Sequence, residues 1–173
     1  YLGDTMEQFY TYFPEWEGKY YCIEAGKEIC RKLRETIRNM QRKNATVYEY
    51  ALWDSKTSLH FDTSTYGAGA GSRVSKKGEE VEGISLDELM QDKEIDFIKL
   101  DIEGAERRAL LGAKEIIKKN RPIITACIYH KPEDFFDIPL LIREIAGNEY
   151  DFYIRQYRYG QSETVLYAMP KSR

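Results

Sequence analysis

The sequence is poor in several features that would mark a special class of protein. Only three cysteines, Cys22, Cys30 and Cys127, stand among 173 residues. Their odd number and wide spacing fit neither a disulfide framework nor a zinc site, so they read as free thiols of a reducing compartment, with the cytoplasm as the expected location. No apolar run approaches the ~20 residues that span a bilayer. Neither sign of charge dominates: 26 basic and 29 acidic residues leave a net charge of −3, which gives no broad attraction to nucleic acid or anionic membrane. Histidine occurs twice, as His60 and His130. There is no Gly-x-Gly-x-x-Gly. The run Gly67-Ala-Gly-Ala-Gly71 leads into neither a helix nor a Gly-Lys-Ser/Thr ending, so it reads as a loop rather than a phosphate cradle. Internal repeats, linkers and low-complexity tracts are absent, and one domain over residues 1–173 is expected. What is present is ordinary for a soluble globular chain, with 42% hydrophobic and 32% charged residues. Fourteen tyrosines suit core and rim packing, and an aromatic rim suits a sugar or another flat substrate.

The chain is organised around residues 95–120. Residues 95–102 are rich in β-branched and apolar side chains, which predicts a strand buried on both faces. Asp101, Glu103 and Gly104 stand at its end. The apolar period then becomes helical, placing Ala105, Ala109, Ala113, Ile116 and Ile117 on one stripe of a single helix reaching Asn120. Arg121-Pro122 stops it, and residues 123–129 read as the next buried strand. A β-α-β unit of this kind implies a right-handed crossover and parallel strands. Carboxylates at the carboxyl edge of such a strand lie where open α/β sheets bind ligands. The competing reading is that Asp101 or Glu103 caps the helix.

Around this unit the remaining elements are an opening helix from Asp4 or Thr5, carrying Met6, Phe9, Tyr10 and Phe13 on one face, and a strand over 19–24. An amphipathic helix over 26–41 and strands over 46–53 and 58–62 come next. An extended piece over 81–86 meets a capping box at Ser85-Leu-Asp-Glu88. After the central unit, a helix starts at Asp137 with Pro139 in its first turn, buried through Leu140, Leu141 and Ile145. Residues 150–158 and 164–169 form an antiparallel hairpin. His60 falls in a strand and reads as structural. Gly3 before a capped helix resembles the close of a glycine-rich nucleotide loop, and a strand with its turn is expected upstream of Tyr1.

Three of the strands close on acids: Glu24, Asp54 and Asp101. In an open α/β sheet these line one crevice. A carboxylate after one strand can accept both hydroxyls of a ribose, each charge-assisted bond contributing roughly 1.5–3 kcal/mol. Acids after the next two suit an adenine and an ammonium group. Together these describe S-adenosylmethionine (SAM), although strand-end acids also serve as helix caps.

Asp96-Phe-Ile-Lys-Leu-Asp-Ile-Glu-Gly-Ala-Glu106, followed by Leu111-Gly112-Ala113 and Arg121-Pro122, resembles the signature of the FkbM-type family of SAM-dependent methyltransferases. The resemblance covers nearly the whole chain. It implies a Rossmann-like class I methyltransferase: a mostly parallel twisted sheet with helices on both faces, a C-terminal antiparallel hairpin, and a first strand upstream of Tyr1. Tyr1-Leu-Gly-Asp-Thr5 resembles the tail of the family's SAM loop, which points to Gly3 and Asp4. Cys22-Ile-Glu-Ala25 resembles the ending that carries the ribose-binding acid, here Glu24, with Ala25-Gly26 where Pro-Asp is usual. Ala51-Leu-Trp-Asp54 and Ile128-Tyr-His-Lys-Pro132 match two further strand endings. The implied cofactor is SAM, and the implied acceptor is a sugar or another small hydroxylated molecule.

Methyl transfer to an alcohol needs alignment and removal of a proton. His130, largely neutral at pH 7 if its pKa is the ordinary ~6.5, is the candidate base, with Asp101 and Glu103 beside it. The same three groups are the residues that would hold a divalent metal, though no metal is expected. Two rivals remain: a nicotinamide-dependent oxidoreductase on a similar sheet, and a non-catalytic module of a glycan-modifying assembly.

Overall fold

The computed structural model describes residues 3–62, 73–75, 78–160 and 163–171. Contacts divide it into two compact units, one of residues 1–51 with 58–83, the other of 52–57 with 84–173.

The first unit opens with helix α1 (Asp4–Tyr12), whose buried residues are Met6 and Tyr10. Strand β1 (Tyr20–Glu24) and helix α2 (Lys27–Asn39) follow. Ile29, Cys30 and Leu33 bury one face of α2, at the spacing its sequence pattern requires. Strand β2 (Ala45–Glu49) pairs in parallel with β1, from Tyr20 opposite Ala45 to Glu24 opposite Glu49. The extended run expected over 46–53 is broken at Tyr50, and β3 (Ala51–Leu52) joins a different sheet. That sheet runs β3-β6-β4-β5, with β4 (Thr57–Asp62), β5 (Arg73–Ser75) and β6 (Glu79–Ile84). His60 lies in β4, opposite Ser75 of β5. The glycine run 67–71 lies outside the described residues.

The second unit holds the central β-α-β. Strand β7 (Phe97–Leu100) pairs in parallel with β8 (Ile123–Cys127), as the crossover predicts. Expected burial on both faces is corrected: Ile98 and Leu100 are buried, whereas Phe97 and Lys99 are exposed. The strand therefore alternates, and Lys99 was the sign of it. β10 (Thr164–Pro170) lies antiparallel between β8 and β9 (Tyr150–Gln156), giving the order β7-β8-β10-β9 and the expected hairpin.

The crossover helix is two helices, α4 (Glu106–Leu111) and α5 (Lys114–Asn120). Gly112 at the break packs so tightly on residues 53 and 54 that an added Cβ would lie 2.1 Å from the Trp53 carbonyl oxygen. The stripe survives the break, since Ala105, Ala109, Ala113, Ile116 and Ile117 are all buried. Asp87 of helix α3 (Leu86–Leu89) caps α5, accepting from the amides of Glu115 at 3.0 Å and Ile116 at 2.9 Å. The capping box forms at α3, where the Ser85 hydroxyl oxygen accepts from the Glu88 amide at 3.2 Å.

Helix α6 (Asp134–Ala146) begins three residues before the expected Asp137, so Pro139 sits in its second turn. The carbonyl that Pro139 leaves without a helical donor belongs to Phe135, an exposed residue, which eases the loss. Leu140 is exposed rather than buried; Ile138, Leu141, Ile142 and Ile145 form the buried face. Among the described residues no helix is long and apolar enough to cross a membrane, and the three cysteines are free.

Candidate active site

The site is built where β7 and β8 end. Past Leu100 the backbone turns sharply at Glu103 (φ 55°) and Gly104 (φ 89°), two successive residues in the left-handed region. For Glu103 this conformation is costly, and such strain collects at functional sites. Lys131 clamps the turn by donating its ammonium group to the Gly104 carbonyl. The turn lets Glu106, in the first turn of α4, reach back and accept the Ile102 amide at 2.9 Å.

The capping alternative for Asp101 and Glu103 is not realised. Ala105 stands at the N-cap of α4, and no side chain bonds there. Both carboxylates instead face His130, which follows β8. His130 Nε2 is 3.7 Å from Asp101 Oδ1 and 3.6 Å from Glu103 Oε2. These separations exceed a hydrogen bond, and Nε2 is buried without a partner among the described residues. On its other side, His130 Nδ1 is 3.0 Å from Glu106 Oε1. The His130 side chain is 9% exposed, Glu106 is fully buried, and Asp101 and Glu103 are about 40% exposed. The imidazole thus lies between a buried carboxylate and two half-exposed ones.

The electrostatics follow from that placement. Burial is the largest influence on His130 and by itself lowers the pKa. The Glu106 hydrogen bond and charge, then Glu103 and Asp101, outweigh it, and the net displacement is upward. The protonated form of His130 is therefore favoured beyond that of an ordinary histidine. Asp134 of α6 is also buried, with Oδ2 unpartnered among the described residues. Its carboxyl is pushed up to about 6 by burial first and Glu106's charge second. Burial and the Asp101 charge raise Cys127, leaving an inert thiol. Among the described residues no group of three His, Cys, Asp or Glu is placed to hold a metal ion.

Asp54 pairs with Arg108 of α4 and accepts from the Ser55 hydroxyl at 3.1 Å, so both its oxygens are engaged. Arg108 also lies over the Trp53 ring, 5.5 Å from its centroid. Gly3, Asp4 and Glu24 belong to the first unit. Gly3 is buried with φ 100° at the N-cap of α1, and Asp4 opens the helix, exposed. Glu24 ends β1, and its Oε1 accepts the Gly26 amide at 2.8 Å. The Gly26 amide therefore orients this carboxylate.

Two groups escaped the sequence reading, Glu106 and Asp134.

The family profile described as the methyltransferase FkbM domain matches residues 3–159. The chain belongs to the FkbM methyltransferase family. No curated protein matches it. A crystal structure of methyltransferase FkbM from Methylobacillus flagellatus KT is similar at a TM-score of 0.78 and 20% identity, over 96% of this chain and 40% of that one. The chain thus spans less than half the length of that protein. The likeness establishes the fold, a Rossmann-like α/β architecture, to which the parallel pairs β1–β2 and β7–β8 and the antiparallel β10 of this FkbM-family chain conform.

Proposed function

We propose that this chain carries the catalytic centre of a SAM-dependent O-methyltransferase acting on a sugar or another small hydroxylated acceptor. The observation that carries the proposal is His130: a buried imidazole whose unpartnered Nε2 lies beside two half-exposed carboxylates. Membership of the FkbM family supports methyl transfer. Were SAM bound, Glu24, whose Oε1 accepts the Gly26 amide, would be the residue to hold ribose hydroxyls, and Asp101 the one to hold an ammonium group. Asp54, already engaged by Arg108, Gly3 and Asp4 are the further residues that would hold the cofactor. When bound, SAM supplies a methyl carbon already activated by a sulfonium.

The chain's own residues then have two tasks. Glu103, half exposed beside His130, can accept from an acceptor hydroxyl, which orients it. His130 Nε2 takes the hydroxyl proton as the oxygen is alkylated. Because the neutral imidazole is the base, the rate rises with pH through the raised pKa of His130.

The test is turnover of labelled SAM by the full-length protein with a panel of sugars and small alcohols. His130→Ala is expected to lower kcat by ~10²–10⁴ with SAM affinity nearly unchanged. Wild-type turnover in that variant would remove His130 from the mechanism. Hydride transfer with NAD, in place of methyl transfer, would overturn the reading altogether.

A further inference from the structure

We infer that Glu106 is a positioning residue: its buried carboxylate holds the His130 proton on Nδ1 and so keeps Nε2 as the face presented to the acceptor. The inference rests on the reading of His130 as the base and extends it one group inward.

The geometry leaves little alternative. Glu106 Oε1 receives two contacts, from the Ile102 amide at 2.9 Å and from His130 Nδ1 at 3.0 Å. The amide is a donor by nature, and an ionised carboxylate can only accept. Nδ1 must therefore carry a hydrogen, and the neutral ring keeps its lone pair on Nε2. That is the nitrogen without a partner among the described residues, 3.6–3.7 Å from Glu103 and Asp101.

The choice of an acid at position 106 is informative. A glutamine would accept from both donors without burying a charge. Glu106 is fully buried, and its Oε2 has no partner among the described residues, an arrangement that costs several kcal/mol unless a counter-charge compensates it. The imidazolium is that counter-charge. It forms when the acceptor's O–H bond breaks and the proton passes to Nε2. The Nδ1 proton stays in place, and Nε2 later returns its proton to water. A nucleophile's base oriented in turn by a third group is the logic of hydrolytic triads, reached here from a strand-to-helix turn.

All the groups around the ring act on this pair. Asp101 and Glu103 face it from the turn after β7, Glu106 from α4, Asp134 from α6, and Tyr129 and Lys131 flank it in sequence. Lys131 directs its ammonium to the Gly104 carbonyl, so the acids dominate.

The chain has two histidines, which makes nitrogen-15 NMR of the imidazoles direct, with the exposed His60 as internal reference. In the wild type, neutral His130 is expected to carry its proton on Nδ1 and to titrate above an ordinary histidine. Glu106→Gln is expected to move the His130 titration to lower pH, leave His60 unmoved, and lower kcat by up to the ~10²–10⁴ that a general base contributes without changing KM for SAM. A wild-type His130 protonated on Nε2, or a Glu106→Gln titration like the wild type, would overturn the inference. Should Glu106→Gln fail to fold, the wild-type tautomer still decides, and Glu106→Asp adds a second arm: it retains the charge but shortens the reach, so the Nδ1 preference should weaken, and an unchanged preference counts against the role. A protein that shows these titrations yet transfers no methyl group would refute the proposed function and leave the Glu106 contact standing.

Discussion

At the scale of single residues, the cluster behind His130 sets a pH signature for stability. Asp134 is buried, and its carboxyl is raised from 3.8 to about 6 by burial and then by Glu106. A raised carboxyl binds its proton more tightly in the folded chain than in the unfolded one. Its contribution to stability is therefore fully present below about pH 4 and is lost as pH rises through about 6. Asp134→Asn cannot ionise. It is expected to match the wild type near pH 4 and to exceed it at pH 8, by on the order of 3 kcal/mol at most, read from denaturant unfolding at the two pH values. A difference that does not change with pH would show that Asp134 titrates normally. Asp101, Glu103 and His130 were legible in the sequence because each is a chemically distinctive residue just past a strand end, and the fold brings strand ends together. Glu106 and Asp134 were not. Their roles depend on which way α4 and α6 turn, and α6 itself begins earlier than Pro139 suggests.

At the scale of elements, the central helix is the instructive case. Its apolar stripe was readable and its break was not, because a helix-compatible Gly112 gives no local sign of what approaches it. The approach is from a distant segment: an added Cβ would meet the Trp53 carbonyl oxygen at 2.1 Å, Ser85 Cβ at 3.0 Å and Asp54 Cα at 3.1 Å. Backbone atoms cannot rotate away as a side chain tip can. Gly112→Ala is thus expected to cost at least the upper end of the ~1–3 kcal/mol typical of overpacking, although alanine is the better helix former. Thermal unfolding checks it, and a melting temperature equal to the wild type would contradict the close packing. The split of residues 46–53 into β2 and β3 has a similar origin: β-propensity runs straight through Tyr50, whereas pairing assigns the two halves to different sheets. The hairpin of β9 and β10 was readable because its turn chemistry and alternation are both local.

At the scale of the whole molecule, the family and the fold follow from the match over residues 3–159 and from the structural likeness, whereas the cofactor is a claim about side chains. Glu24 is the residue on which that claim is most exposed. It ends β1, its carboxylate is oriented by the Gly26 amide at 2.8 Å, and its proposed partners are the two hydroxyls of a ribose. The sequence showed the acid at the strand end but not its orientation, which comes from a backbone donor two residues on. Calorimetric titration of the full-length protein with SAM and, separately, with NAD tests the account most directly, using wild type and Glu24→Ala. The expected result is binding of SAM alone, weakened roughly ten- to a hundredfold in Glu24→Ala, the loss of about 1.5–3 kcal/mol that a charge-assisted contact carries. Wild-type SAM affinity in Glu24→Ala, or binding of NAD in place of SAM, would contradict it.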